Sequence, residues 1–217
     1  MAKDRQPTAH PEKCEGREAL HAFLRSRRSI RRFKSQSVPA EIIQHILETA
    51  TYPPSAHNDQ PWRFTVLTTA KAKSRLAEAM AADFRRDLDK DGLTEDEITA
   101  RLERSRRRVN EAPVVIVLCM DTSSVEVYPD AKRQQAESMM AVQSTALAGL
   151  QLLLAAHAEG LGGVWTCGPL FAPEAVKSTL GLPPEWQPQA MFFIGYPAEK
   201  PDTPRRKPLP EVVKFVP

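Results

Sequence analysis

From Glu15 to about Arg27, the apolar positions Leu20, Phe23 and Leu24 recur at helical spacing, so a helix running into the basic stretch Arg25–Lys34 is expected. A second apolar face, made of Ile42, Ile43, Ile46, Leu47 and Ala50, opens at Pro39 and closes at Tyr52-Pro53-Pro54, which cannot continue a helix. Ser55 to Pro61 then reads as a loop stiffened by proline, and Trp62–Thr68 alternates as a half-buried strand should. Two highly charged helices are expected between Ala70 and Asn110, joined near Asp91-Gly92, with a capping-box pattern at Thr94 and Glu97. Pro113–Met120 is an unbroken apolar run, the pattern of a central strand covered on both faces. Ala131 to Glu159 forms one long helix. Its apolar positions, Met139, Val142, Leu147, Leu150 and Leu153 among them, widen toward all-round, as in a helix buried in a large core or an oligomer interface. Glycines at 160, 162 and 163 end it. A short strand or edge (Val164–Cys167), a short helix (Pro173–Leu180) and a strand (Ala190–Tyr196) follow. Residues 197–217 hold six prolines and the apolar stretch Val212–Val216, which needs covering as an added strand or as an arm against a second subunit.

Composition adds bounds. At 217 residues, with 41% hydrophobic and 26% charged, the chain can bury a sizeable core in a single domain, expected over 15–217 behind a flexible polar segment at 1–14. No run approaches the ~20 apolar residues of a membrane span. Met1–Gln6 lacks the apolar core of a secretion signal, so the expectation is a cytoplasmic protein with no membrane partner. Cys14, Cys119 and Cys167 form no C-x-x-C pair, which argues against zinc or a dithiol centre and suits a reducing compartment. The net charge of +3 is unevenly placed: residues 1–34 hold ten basic and four acidic side chains, the last nineteen hold five and three, and the middle is net negative. Basic ends suit nucleic acid, an acidic membrane surface or a phosphorylated small molecule. The acids interleaved through 70–110 and the lack of a reading helix argue against nucleic acid, and Arg104, Arg106, Arg107 and Arg108 read as complements to a helix dipole.

Several catalytic patterns are missing. There is no G-x-x-x-x-G-K-[ST], no G-x-S-x-G and no H-E-x-x-H, and Gly160–Gly163 fails the dinucleotide fingerprint because Trp165 stands where its third glycine belongs. Ser55, His57 and Asp59 alternate in direction if the loop is extended, which excludes a triad. Two segments do carry chemistry. Arg27-Arg28-Ser29-Ile30-Arg31-Arg32-Phe33 combines guanidinium donors with a hydroxyl beside a helix end, a set that suits a terminal phosphate or, read plainly, a solvated basic helix terminus. Ser55-Ala56-His57-Asn58-Asp59-Gln60-Pro61-Trp62 offers amides that both donate and accept on a pinned loop; it suits the edge of a planar heterocycle, or is a Pro-rich turn with self-bonded polar residues.

Together, R-R-S-x-R-x-F and P-P-S-x-x-N-x-Q-P-W closely resemble the nitroreductase-like flavoproteins. Ala112–Val117, Gly160–Trp165, Gly195–Pro201 and the basic Arg205-Arg206-Lys207 follow in that family's order. The resemblance implies an α+β sandwich, with a mostly antiparallel central sheet flanked by helices. It also implies a swapped-arm homodimer holding FMN at the subunit interface, with NADH or NADPH as electron donor. Lid helices would lie at about 70–110 and the arm at about 197–217. It further implies that Arg27 and Ser29, with Arg28, bind phosphate and ribityl, joined by Arg206. Arg31 would stand beside flavin N1 and O2, as a cation opposite the charge of the reduced ring. Ser55, Asn58 and Gln60 would face the ring from both chains, with His57 a proton donor or simply a loop residue. The Cys167-Gly168 backbone would approach N5, where hydride enters and leaves, while the Cys167 thiol has the alternative of a buried, inert role.

Within the family, Phe84–Leu88, Asp91–Leu93, Tyr128–Ala131 and Leu182–Pro188 look most like the C-terminal flavin domain of the actinobacterial coenzyme F420 glutamyl ligase, although the ligase domain is missing here. That likeness implies Asp87, with Arg85 and Arg86, as substrate contacts, and reduced F420 as an alternative donor. The expected function is hydride transfer through FMN to a small planar electrophile such as a nitroaromatic, quinone or activated alkene. The alternatives are a stand-alone reductase of a dehydro precursor of F420, or a non-catalytic binder of flavin or deazaflavin.

Overall fold

The fold is organised on one antiparallel sheet in the computed structural model, which describes residues 16–216. Strands β1 (Trp62–Leu67), β2 (Val114–Asp121), β3 (Gly162–Thr166) and β4 (Trp186–Gly195) lie in the order β1-β2-β4-β3. Strand β2 is paired on both edges and every one of its residues is buried, which explains its unbroken apolar sequence.

Of six helices, α1 (Arg17–Ser26) buries no residue, and α2 (Ala40–Ala50), α3 (Ala70–Lys90), α4 (Glu95–Glu111), α5 (Ala131–Ala158) and α6 (Pro173–Leu180) cover the two faces. On one face α2 and α5 bury Ile46 and Leu152 against Ile116, Leu118, Phe192 and Ile194. On the other, α3, α4 and α6 bury Leu76, Met80, Val109 and Val176 against Val115 and Phe193. Thr94 and Glu97 do form the capping box that starts α4. The far end of α4 is tied to α3 by Lys73, which is buried and donates to the carbonyls of Asn110 (3.2 Å) and Ala112 (2.5 Å). The architecture is thus the expected α+β sandwich.

Four expectations need correcting. Strand β4 begins at Trp186 rather than Ala190. The register shifts between Leu118 and Cys119, so that Pro188 is taken into the pairing and Gln189 left as the extra residue. A bulge absorbs what the apolar pattern cannot show. Second, residues 55–60 are not extended: Ala56–Asn58 is a short 3-10 turn, and His57, Asn58 and Gln60 all have positive φ (51°, 61° and 51°). Third, α5 has the length and mean hydropathy (1.5) of a membrane span, although half of that window is buried in the protein. Ala148, Leu152 and Ala156 fill the core, while Met139, Val142, Leu147 and Leu150 stand exposed on the opposite side. Fourth, the C-terminal segment forms no strand among the described residues; it makes one short turn at Leu209–Glu211 and leaves Leu209, Val212, Phe215 and Val216 exposed. The segment 1–14, including Cys14, lies outside the described residues.

Candidate active site

The basic segment after α1 is seated by glycine. Ser29 bridges Gly163 of β3, and the Ile30 N–H donates to the Gly163 carbonyl (3.1 Å). A Cβ on Gly162 would stand 2.6 Å from Ile30 Cγ1, so the Gly162-Gly163 pair is what lets this segment lie against the sheet edge. The same glycines that fail as a nucleotide fingerprint therefore position the arginines. From the other side, the Glu199 carboxylate accepts from the backbone N–H groups of Arg31 (2.6 Å) and Arg32 (3.1 Å). The chain beyond β4 runs alongside, with Lys34 donating to Tyr196 and Ala198 to Arg32.

This return brings distant residues together. Arg27, Arg28, Ser29 and Arg31 line a cavity of about 290 Å³ with Arg206. Arg28 donates to its own helix end, at the Arg25 carbonyl (2.6 Å), and to Thr203 Oγ1 (3.2 Å). Among the described residues, none of the four guanidinium groups has a carboxylate partner. Burial, then the like charges of Arg206 and Arg28, hold the Arg27 pKa below its ordinary value. Among the described residues Asp202 is the one acid lining this cavity and pairs with none of the four, so the crowded guanidinium groups keep an excess of positive charge that suits an anion.

The loop 55–60 is built on α5. The Ala56 N–H donates to Ser144 Oγ (3.1 Å), the Gln60 N–H to Ser55 Oγ (3.0 Å), and His57 Nε2 lies 3.8 Å from the buried carboxylate of Glu137. Three left-handed residues in so short a loop are the local strain that marks functional backbone. Asn58 and Gln60 are exposed. None of residues 55–60 lines the arginine cavity. Asp59 and Gln60 instead border a separate cavity of about 1230 Å³ between α2 and β1. Within one chain the two candidate segments are not brought together.

Cys167 follows β3 and is exposed, which removes the buried, inert alternative; its Sγ accepts from Trp165 Nε1 (3.2 Å). Gly168 opens a short turn, and a Cβ there would stand 2.9 Å from Met80 Cε. Cys119 is the buried thiol, and burial pushes its pKa up to about 12. In α3, Arg85 is spent on Glu95 (2.8 and 2.9 Å) and Arg86 on Asp83, whereas Asp87 lines a cavity of about 310 Å³ with Phe84, Leu88 and Phe171.

Residues 24–196 match the model of the nitroreductase family, which spans most of the chain. The chain belongs to the nitroreductase family. Among relatives of this nitroreductase, an NADH dehydrogenase of Thermus thermophilus is 32% identical over 211 residues, covering 86% of this chain and 91% of that one. A Bacillus subtilis protein assigned as an NAD(P)H nitroreductase is 29% identical over 198 residues, covering 91% and 94%. Among solved structures, one from Desulfovibrio desulfuricans, assigned as a nitroreductase and obtained in complex with FMN, aligns with a TM-score of 0.69 and 27% identity over 91% of this chain and 96% of that one.

Some residues around the candidate site escape sequence reading. Glu199 is one, because nothing local shows that it meets backbone 168 positions away. His157 is another: it stacks on Phe23 (5.0 Å between ring centres) and lies 2.7 Å from Ser26 Oγ, directly behind Arg27 and Arg28. Glu137, buried inside a long apolar helix, had a signal available in its charge.

Proposed function

We propose that this nitroreductase is an FMN-dependent oxidoreductase that passes hydride from NADH or NADPH to a small planar electrophile, such as a nitroaromatic, quinone or activated alkene. The observation that carries this is the convergence of Arg27, Arg28, Arg31 and Arg206 on one cavity, four guanidinium groups against the single carboxylate of Asp202. A terminal phosphate fits that donor set: Arg27, Arg28 and Arg206 would hold its charge and Ser29 would add a hydroxyl. When bound, FMN supplies reversible hydride acceptance at N5.

The remaining work belongs to the chain. Arg31 is exposed at the inner end of the segment, where a fixed cation stabilises negative charge on the pyrimidine side of a reduced ring. Asn58 and Gln60 would offer amides to a heterocycle edge from a loop that Ser55 holds in shape, and His57, beside Glu137, would be a proton donor or simply a loop residue. The Cys167-Gly168 backbone is assigned to the N5 side, with α3 and α4 as a lid and Asp87 as a substrate contact.

The separation of loop 55–60 from the arginine cavity supports a homodimer in which the two segments of one site come from different chains. The exposed stripe of α5 and the uncovered apolar C-terminal arm are surfaces for that contact. Reduced coenzyme F420 as donor, and a role on a dehydro precursor of F420, rest on the sequence likeness at 84–93 and 182–188. They are tested by offering reduced F420 beside NADH and NADPH in one assay.

Variants separate the assigned roles. Arg27→Ala and Ser29→Ala should lower FMN affinity about tenfold or more, the order expected for losing a charge-assisted contact, while Arg31→Ala should slow flavin reduction more than it weakens FMN retention. FMN content after gel filtration and anaerobic stopped-flow reduction read the two. Unchanged reduction in flavin-loaded Arg31→Ala removes the role given to Arg31.

A further inference from the structure

Helix α4 carries Arg101, Arg104 and Arg108 on one face, at helical spacings of three and four. All three line a cavity of about 300 Å³, walled by Phe84 of α3, Met191 and Phe193 of β4, and Gly168 beyond β3. Two neighbouring basic groups have partners, Arg106 with Glu78 (2.9 Å) and Arg85 with Glu95 (2.8 Å), while Arg107, unpaired among the described residues, lies outside the cavity. Arg101, Arg104 and Arg108 have no ion-pair partner among the described residues. Glu97 senses Arg101 across one turn, but its carboxylate is held in the Thr94 cap.

A helix dipole accounts for a cation only in the last turn, and so for Arg108. Arg101 lies about three turns, and Arg104 about two, before the end of α4. A solvated face accounts for exposed arginines, but not for three of them bordering one cavity together with the apolar side chains of Met80, Phe84, Met191 and Phe193. A second cavity of about 310 Å³ continues from the first, sharing Phe84 and Arg101, and brings Phe171 with Asp87 and Asp91. The groove therefore has a cationic end, an aromatic middle and an acidic end.

We propose that this groove binds a planar substrate bearing an anionic group, with the carboxylate or phosphate at Arg104 and Arg108 and the ring against Phe84 and Phe193. Asp91, together with Asp87, whose charge Lys90 shares at 3.7 Å, sets the direction by repelling the anion from the far end. Only the link to redox chemistry, through Gly168 beside Cys167, rests on the function proposed above. The anion has two sources, an acid-bearing electron acceptor or the phosphates of the nicotinamide donor.

The test uses FMN-loaded full-length protein with 4-nitrobenzoate and its neutral counterpart 4-nitrobenzyl alcohol as acceptors, and NADH and NADPH as donors. Calorimetric titration with benzoate gives affinity independently of turnover. In the double variant Arg104→Gln/Arg108→Gln, benzoate affinity should fall about tenfold or more. KM for 4-nitrobenzoate should rise in step, with kcat and the neutral acceptor unchanged. A rise confined to KM for NADH and NADPH supports the same site with the donor as occupant. Arg107→Gln, which removes equal charge outside the cavity, should change neither. Equal KM values for both acceptors, with benzoate and donor binding untouched by the double variant, overturn the proposal, as does an equal loss in Arg107→Gln. If the FMN-loaded protein reduces nothing, the redox reading fails, and calorimetry alone still decides the anion site.

Discussion

Arg27 sits between like charges, and the residue behind it responds to the same field. Ser26 Oγ donates to the Phe23 carbonyl (2.7 Å), which leaves it to accept from His157 Nε2–H (2.7 Å). Burial first, then Arg27 and Arg28, lower the His157 pKa below its ordinary value. The unfolded chain therefore takes up this proton at higher pH than the folded one, and folding stability falls as pH drops through the ordinary histidine value of about 6.5. Thermal unfolding of the FMN-free protein at pH 7.5 and 5.5 should show an acid loss that shrinks in His157→Gln. Adding FMN to the wild type should shrink it too, since a phosphate beside Arg27 offsets the local positive charge. An acid loss identical in His157→Gln contradicts this coupling. The arginines were legible in the sequence because R-R-S-x-R is contiguous. His157 and Glu199 were not, because their partners are far away in the chain and no local pattern announces them.

At the scale of elements, packing overrides propensity where α5 crosses the sheet. An alanine in place of a helical glycine ordinarily gains about 1 kcal/mol. At Gly149, however, a Cβ would collide with the Trp165 ring and stand 2.9 Å from Phe192 Cζ, and Trp165 and Phe192 are themselves locked edge-to-face at 4.9 Å. Overpacking of a tight core costs about 1–3 kcal/mol, so the clash wins. Gly149→Ala should lower the denaturation midpoint, with a net loss of up to about 2 kcal/mol, and a midpoint at or above the wild type would show that the helix can shift away from the sheet. Elements with one strong period were legible: β2 from its unbroken apolar run, α4 from its capping box and α5 from its length. The start of β4 and the turn at 56–58 were not. A bulge hides one in a polar stretch, and non-glycine residues at positive φ hide the other.

Across the whole molecule, the charge asymmetry between the ends and the middle acquires a meaning. Residues 27–31 and Arg206, basic ends in sequence, meet in one cavity, while the charged middle folds over one face of the sheet as α3 and α4. The α+β class and the convergence of the basic ends were therefore open to sequence reading. The groove along α4 was not, because a helix-dipole reading of its arginines held until the cavity beside Phe84 and Phe193 was seen. If the loop at 55–60 joins the arginine cavity only across two chains, as proposed, that is a property the pattern of one chain does not encode. The central claim, an FMN oxidoreductase, is tested most directly by titrating the purified full-length protein with FMN under anaerobic conditions and then adding NADH or NADPH while the visible flavin band is followed. Stoichiometric FMN uptake, followed by bleaching with a nicotinamide, is the predicted result. A protein that refuses FMN, or that holds it unreduced by either nicotinamide, contradicts the account.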